Sequence, residues 1–334
     1  IGYGTMRLLA LIISSSLGSI DPVVRLDTPR GPVFMPQVAL GTWELSAEDA
    51  RATVRDGIAA GFTHVDCAWD YFNQKAVGDA LRAHGGARGD VFVTTKVPGC
   101  NASTPKACYD QTAARVDEDL SQLGLTQLDL ILVHFPPQPF PWESSRDCPR
   151  MRAQWRAMEE AYRKGKARAI GVSNFCPSCF ECIAPEGTVG EYGEVSPSSR
   201  DEATGLGDEP TIMPAVNQVQ FHVGMGTDPG SIVSYCARRG VVVQAYSPLG
   251  DGRSRELIVG ELVTRIGKAN GKSGVQVALK YVQQLGLALV TKSRSKAHLL
   301  EDIDLFTWQL APRDMRDLST ATTPAANYSF ACSS

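Results

Sequence analysis

Apolar residues along the chain fall into short, nearly unbroken runs set apart by amphipathic stretches. Eight such runs stand out: "VALGTW" from Val38, "THVDCA" from Thr63, "VFVTTKV" from Val91, "LDLILVHF" from Leu128, "ARAIGVS" from Ala167, "AVNQVQF" from Ala215, "VVVQAYS" from Val241 and "LALVTKS" from Leu287. Continuous rather than alternating hydrophobicity marks strands covered on both faces. Between them the period changes to that of a helix. Ala50, Val54 and Ile58 share one face behind a capping Ser46, with Asp49 in the first turn. Ala113, Val116, Leu120 and Leu123 form a stripe that stops at Gly124, and Trp155, Met158 and Tyr162 form another that stops at Gly165. Alternating strand and helix imply a parallel sheet, and eight units in about 250 residues are the size of an α/β (β/α)8 TIM barrel. An open dinucleotide-binding sheet would carry a glycine-rich G-x-G-x-x-G turn after its first strand, where this chain has "LGTWELS".

Three segments lie outside this rhythm. "VVRLDTPRGPVF" reads as an N-terminal β-hairpin turning at Pro29, Arg30 and Gly31, placed to plug the bottom of the barrel. Residues 184 to 212 have no apolar period and are rich in glycine, proline, serine and acid, which predicts a surface insertion between strands 5 and 6 after a shortened fifth helix. Residues 1 to 21 include an apolar run, Leu8 to Ile13, behind Met6 and Arg7, and read equally as a signal or targeting leader or as a disordered tail. That leaves one barrel domain over 22–324 and a tail over 325–334. The localisation expected is a secretory or organellar route if the leader is real and cytoplasmic otherwise; the sequons at Asn101 and Asn327 lean toward the former.

A composition 43% hydrophobic and 21% charged supports a large core, and a net charge of -3 without a basic run argues against nucleic-acid binding. No apolar run is long enough to span a bilayer. Nine cysteines include Cys100 and Cys108, which bracket a short loop suited to a disulfide, and the triad Cys176, Cys179 and Cys182, whose spacing also suits metal ligation with Cys148 as a fourth ligand. Without a second CxxC pair, structural thiols or disulfides are expected there and no metal.

The chemistry gathers at the C-terminal ends of the strands, where barrels of this kind place their active sites. Asp66, Lys96 and His134 each interrupt a buried apolar run at such an end, and Tyr71 follows Asp66 by a loop. Any one of the four has an ordinary structural explanation; four on one rim suggest proton delivery. An ammonium near a phenol favours its ionised form, so Lys96, held by Asp66, is expected to lower the pKa of Tyr71 and make it a general acid. His134 is then placed to orient a carbonyl. Such an acid needs a hydride source, which a nicotinamide supplies. Ser173, Asn174 and Gln218 can bond its carboxamide, and Tyr246 can stack on its ring. Lys292, Ser293 and Arg294 precede a helix capped by Ser295, a suitable phosphate site.

Taken together, "MPQVALGTW", "GFTHVDCAWDY", "TTKV", "LILVHFP", "GVSNF", "NQVQFH", "AYSPLG" and "LVTKS" resemble the aldo-keto reductase family, from about Val24 to Thr323. The resemblance implies NADPH-dependent reduction of aldehydes or ketones on a (β/α)8 barrel, with a catalytic tetrad of Asp66, Tyr71, Lys96 and His134. It implies further cofactor contacts from Thr42, Ser247 and Leu249, from Asp66 at the nicotinamide end, and from His298 and Asp302 at the adenine end. It also implies a substrate pocket with Trp43, His134 and Phe135. His298 replaces an arginine usual in members preferring NADPH, and Asp302 an asparagine. NADPH is therefore expected, with NADH as the alternative. Pro98 and Phe135 replace tryptophans often found near the pocket, so substrate size is not fixed by the resemblance. Oligomeric state is not legible. The competing reading is a non-catalytic nucleotide-binding protein, a redox sensor or scaffold on the same barrel.

Overall fold

Each predicted strand is too short and too apolar to be stable alone, and the computed structural model shows how they are covered. It describes residues 23–137, 147–185, 194–195, 211–250 and 254–324. The leader, most of the insertion and the C-terminal tail lie outside these residues, so the expectations made for them are not addressed.

A hairpin comes first, β1 (Val23–Leu26) and β2 (Val33–Pro36), paired antiparallel with Leu26 opposite Val33. Gly31 in its turn adopts φ 105°, a left-handed value that favours glycine. The barrel proper comprises β3 (Val38–Gly41), β4 (His64–Asp66), β5 (Phe92–Val97), β6 (Leu128–Val133), β7 (Ala167–Ser173), β10 (Val216–Gln220), β11 (Val242–Tyr246) and β12 (Ala288–Thr291). Every neighbouring pair is parallel, and the ring closes through β12 on β3 and β10 on β7. These are the eight runs read from the sequence, in the same order. Leu26, Val33 and Met35 of the hairpin pack with Phe92, Ala215, Val216 and Ala288 near the strand starts. The hairpin therefore closes the N-terminal end and leaves the opposite end for chemistry.

The crossovers follow the sequence signals. Helix α1 (Ala47–Ala60) starts at Ser46, whose hydroxyl accepts from the Asp49 N–H at 3.0 Å, and ends at Gly61 with φ 108°. The helices α2 (Gln74–His84), α3 (Pro105–Leu123) and α4 (Cys148–Arg163) follow, with Thr104 capping α3 and Asp147 capping α4. The fifth helix, α5 (Pro177–Ile183), has seven residues, as short as expected. Within the insertion, the two-residue strands β8 (Glu194–Val195) and β9 (Thr211–Ile212) pair antiparallel, a link that the aperiodic sequence did not announce. The later units carry α6 (Ile232–Arg238), α7 (Arg255–Val259), α8 (Glu261–Asn270), α9 (Gly274–Gln284), α10 (Lys296–Ile303) and α11 (Pro312–Ser319).

Two disulfides brace α3, α4 and α5 on one side. Cys100 joins Cys108, as their spacing suggested, and Cys148 joins Cys182 across 34 residues. Cys176 is also disulfide-bonded. Three of the four sulfurs considered for metal ligation, those of Cys148, Cys176 and Cys182, are thus committed to disulfides, and no cluster able to hold a metal occurs among the described residues. Among those residues no helix is long and apolar enough to cross a membrane.

Candidate active site

A cavity of about 460 Å³ opens at the C-terminal end of the barrel. Asp66, Asp70, Tyr71 and His134 contribute to one part of its wall, Trp43 and Phe135 to its apolar side, and Asn174, Gln218, Tyr246, Ser247, Leu249 and Lys292 to the rest. Three strands deliver the four proton-handling groups. Asp66 ends β4, Lys96 sits in β5, His134 follows β6, and Tyr71 closes the 3-10 turn Trp69–Tyr71 after β4.

At the floor the Lys96 ammonium is fully buried and makes three hydrogen bonds, to Asp66 Oδ1 at 2.5 Å, to the carbonyl of Cys67 at 3.1 Å and to Tyr71 Oη at 3.3 Å. Burial works against the lysine's charge, but Asp66 and Tyr71 outweigh it and raise its pKa. The second Asp66 oxygen accepts from Gln218 Nε2 at 2.8 Å, and that same amide donates to Gln244 Oε1 at 2.7 Å. A chain of fixed donors thus ties β4, β5, β10 and β11 together beneath the cavity.

Tyr71 departs from the sequence expectation in one respect. Burial pushes its pKa above the ordinary value, and the opposing pull of Lys96 does not overcome it. The phenol therefore holds its proton throughout the neutral range, while Lys96 favours the phenolate formed after the proton leaves. His134 stands beside it, its ring 5.7 Å from the Tyr71 ring in an edge-on arrangement and stacked at 4.4 Å on Phe135. Burial lowers the imidazole pKa, against the hydrogen bond and charge of Asp70.

Asp70 escaped the sequence reading. Its Oδ1 lies 3.0 Å from His134 Nδ1, a pairing of residues 64 apart that only the barrel brings together. The available signal was a carboxylate next to the candidate acid in "WDY".

The residues expected to hold a cofactor divide into three groups. Asn174, Gln218, Tyr246, Ser247, Leu249 and Lys292 line the cavity. Asn174 and Ser247 adopt left-handed backbone angles, φ 60° and 50°, at the ends of β7 and β11, and Tyr246 Oη donates to Asn174 Oδ1 at 2.9 Å. Strained non-glycine backbone in a cavity wall is held only where the surroundings demand it. Thr42 and Ser173 lie just behind: Thr42 Oγ1 donates to the Asp66 carbonyl, and Ser173 Oγ donates to the Gln218 carbonyl while accepting from Asn174 Nδ2. They set the wall rather than form it. Ser293, Arg294, His298 and Asp302 stand apart. Ser293 Oγ accepts from the Ser295 N–H, Arg294 pairs with Asp49 at 3.5 Å, and His298 is exposed on α10. Asp302 is buried and accepts from Thr291 Oγ1 at 2.9 Å, so its carboxyl faces inward rather than toward a ligand.

This donor set fits a nicotinamide. Gln218 has its Nε2 committed, which leaves its amide oxygen to accept from a carboxamide N–H, and the Tyr246 ring in the wall offers a flat apolar face. Lys292 directly follows β12 in the loop that leads to α10, whose first turn is capped by Ser295.

Comparison with known proteins agrees with this geometry. A profile described as "Aldo/keto reductase family" matches residues 37–322. The chain is 30% identical over 293 residues to the 9,11-endoperoxide prostaglandin H2 reductase of Trypanosoma cruzi, covering 87% of this chain and 89% of that protein. It is also 30% identical over 284 residues to the glyoxal reductase of Bacillus subtilis, covering 85% and 87%. Among solved structures, an aldo/keto reductase from Brucella melitensis superposes with a TM-score of 0.71 at 26% identity, covering 89% of this chain and 98% of that one. A match of that extent accounts for the barrel, its capped bottom and the strand-end cluster together: the chain belongs to the aldo/keto reductase family and is an oxidoreductase of carbonyl compounds.

Proposed function

We propose that the chain reduces aldehydes or ketones to alcohols with NADPH, and that Tyr71 protonates the carbonyl oxygen. One observation carries this reading: Lys96 Nζ lies within 3.3 Å of Tyr71 Oη and 2.5 Å of Asp66 Oδ1, with the phenol facing the cavity. A bound dihydronicotinamide supplies hydride. Asn174 and Gln218 orient its carboxamide, Tyr246 supports its ring, and Lys292 with the start of α10 receives phosphate. The carbonyl oxygen is seated between Tyr71 and His134, with Trp43 and Phe135 along the apolar side. As negative charge builds on that oxygen, Tyr71 gives up its proton, and the resulting phenolate is stabilised by the adjacent ammonium. Lys96 stays charged because Asp66 holds it.

The preference for NADPH rests on the cations after β12, Lys292 and Arg294, which suit a 2′-phosphate although His298 stands where an arginine is usual. The disulfides Cys100–Cys108 and Cys148–Cys182 further support folding in an oxidising compartment. Steady-state assays on an aldehyde panel with NADPH and NADH in parallel test the proposal. Tyr71→Phe is expected to lower kcat by about 10²–10⁴-fold while leaving cofactor affinity nearly unchanged. Undiminished turnover in that variant would remove Tyr71 as the acid, and cofactor binding without consumption by the wild type would favour a sensor or scaffold.

A further inference from the structure

Asp70 has no part in the tetrad, yet it lines the same cavity and contacts one member directly. Its side chain is 31% exposed, and its Oδ1 meets His134 Nδ1 at 3.0 Å. A carboxylate oxygen only accepts, so the proton in that hydrogen bond belongs to the ring nitrogen. A neutral imidazole carries a single N–H. With that proton on Nδ1, Nε2 holds a lone pair and has nothing to donate.

We propose that Asp70 is a positioning residue that locks His134 in its Nδ1–H form, so that the ring can donate a hydrogen bond to a substrate carbonyl only after taking a second proton. This rests on the reading of the site as a carbonyl reductase with Tyr71 as its acid. In the neutral form, Asp70 and Nε2 are both acceptors, and the Tyr71 phenol is the donor beside them. In the imidazolium form, two donors flank the carbonyl oxygen, and polarisation by Nε2–H adds to proton transfer from Tyr71.

The ring is enclosed by elements that act on its charge in opposite senses. Asp70 on the 3-10 turn and Asp66 on β4 favour the second proton, whereas Lys96 on β5 and burial oppose it. Tyr71 meets the ring edge-on, Phe135 stacks on it, and Asn174 Nδ2 donates at 3.0 Å to the His134 carbonyl, which fixes the residue without touching the imidazole. Asp70 itself stays ionised: burial works to raise its pKa, but the bond and charge of His134, aided by Lys96, bring it below the ordinary value. No other salt bridge engages it among the described residues.

Asp70→Asn separates this role from mere packing. The amide is nearly isosteric, but it can turn its NH2 toward Nδ1, which makes Nδ1 the acceptor and frees Nε2–H in the neutral ring. With saturating NADPH, wild-type kcat/KM for a good aldehyde is expected to fall at least about threefold between roughly pH 5.5 and 7.5, down to a floor set by Tyr71 alone. The same profile for Asp70→Asn is expected to stay flat within about twofold. Parallel profiles for the two proteins would overturn the proposal. So would nitrogen-15 NMR of histidine-labelled wild type near pH 7.5 showing the proton on Nε2, with His134→Asn identifying the resonance. The spectrum needs no turnover and no variant of Asp70, so it decides the proton's position even if Asp70→Asn fails to fold. Tyr71→Phe decides separately whether the site works as a reductase.

Discussion

The Lys96 ammonium and the Asp66 carboxylate meet at 2.5 Å with almost no exposure of either side chain, 0% and 3%. An ion pair this deep has lost most of its hydration, so its net contribution to stability is small, while the cost of leaving one partner alone is large. Lys96→Met strands the Asp66 charge and is expected to destabilise the fold by about 3–5 kcal/mol in urea titrations. Adding Asp66→Leu to Lys96→Met should recover much of that loss, because no buried charge then remains. Activity follows a different rule: both the single and the double variant are expected to lose at least about 10²-fold in kcat, since neither supports a Tyr71 phenolate. Recovery of stability without recovery of turnover marks the pair as retained for chemistry.

Lys292 is tied to Trp43 by two contacts. Its Nζ donates to the Trp43 carbonyl at 2.7 Å and lies 5.4 Å from the Trp43 ring centroid, so the residue proposed to meet phosphate also steadies an aromatic part of the cavity wall. Lys292→Met is expected to raise the KM for NADPH by about tenfold with little change in kcat, the loss of roughly one charge-assisted hydrogen bond. The KM for NADH should move much less, and the gap between the two cofactors should narrow with added salt. Parallel titrations at low and high ionic strength check this.

Burial explains what was and was not legible. Strands such as "LDLILVHF" announce themselves because both faces are covered, and Gly124 and Gly165 mark helix ends because left-handed backbone favours glycine. Asp66, Lys96 and His134 were visible as polar interruptions of those same runs. Asp70 was not, because its meaning lies in His134, and no local pattern records a contact 64 residues away. The sign of the Tyr71 shift was missed for a related reason: proximity to Lys96 follows from strand order, but the depth of burial that outweighs it does not. Asp302 shows the limit within one helix. The periodicity of α10 is too short to say which side of Leu299 meets the sheet, and the aspartate proves to face inward.

The disulfides make a prediction that depends on loop length. Cys148–Cys182 closes 34 residues and Cys100–Cys108 closes eight, so the first constrains the unfolded chain more. Replacing Cys148 and Cys182 together by serine is expected to cost about 4 kcal/mol, against about 2.5 kcal/mol for Cys100 and Cys108, by denaturant unfolding under non-reducing conditions. Neither pair belongs to the cavity wall, so kcat should stay within about twofold for both.

Asp302 offers the clearest pH signature of stability. Burial pushes its carboxyl up to about 7, with the Thr291 hydroxyl pulling the other way and too weakly to offset it. The folded state therefore holds a proton that the unfolded state, with an ordinary aspartate, releases near pH 4. Between those values the native chain binds more protons, so stability is greatest on the acid side and falls as pH rises toward 7. Asp119 and Glu159 are raised by burial as well and add slopes of the same sign, so the wild-type curve alone cannot isolate Asp302. Asp302→Asn can: the amide oxygen still accepts from Thr291 and carries no charge to desolvate. At about pH 5 the variant is expected to be the more stable by only about 1.5 kcal/mol, whereas at about pH 8 the gap is expected to widen to about 4 kcal/mol. Equal stability at the higher pH would mean that the Asp302 carboxylate is hydrated in the folded protein, contrary to its buried place on α10.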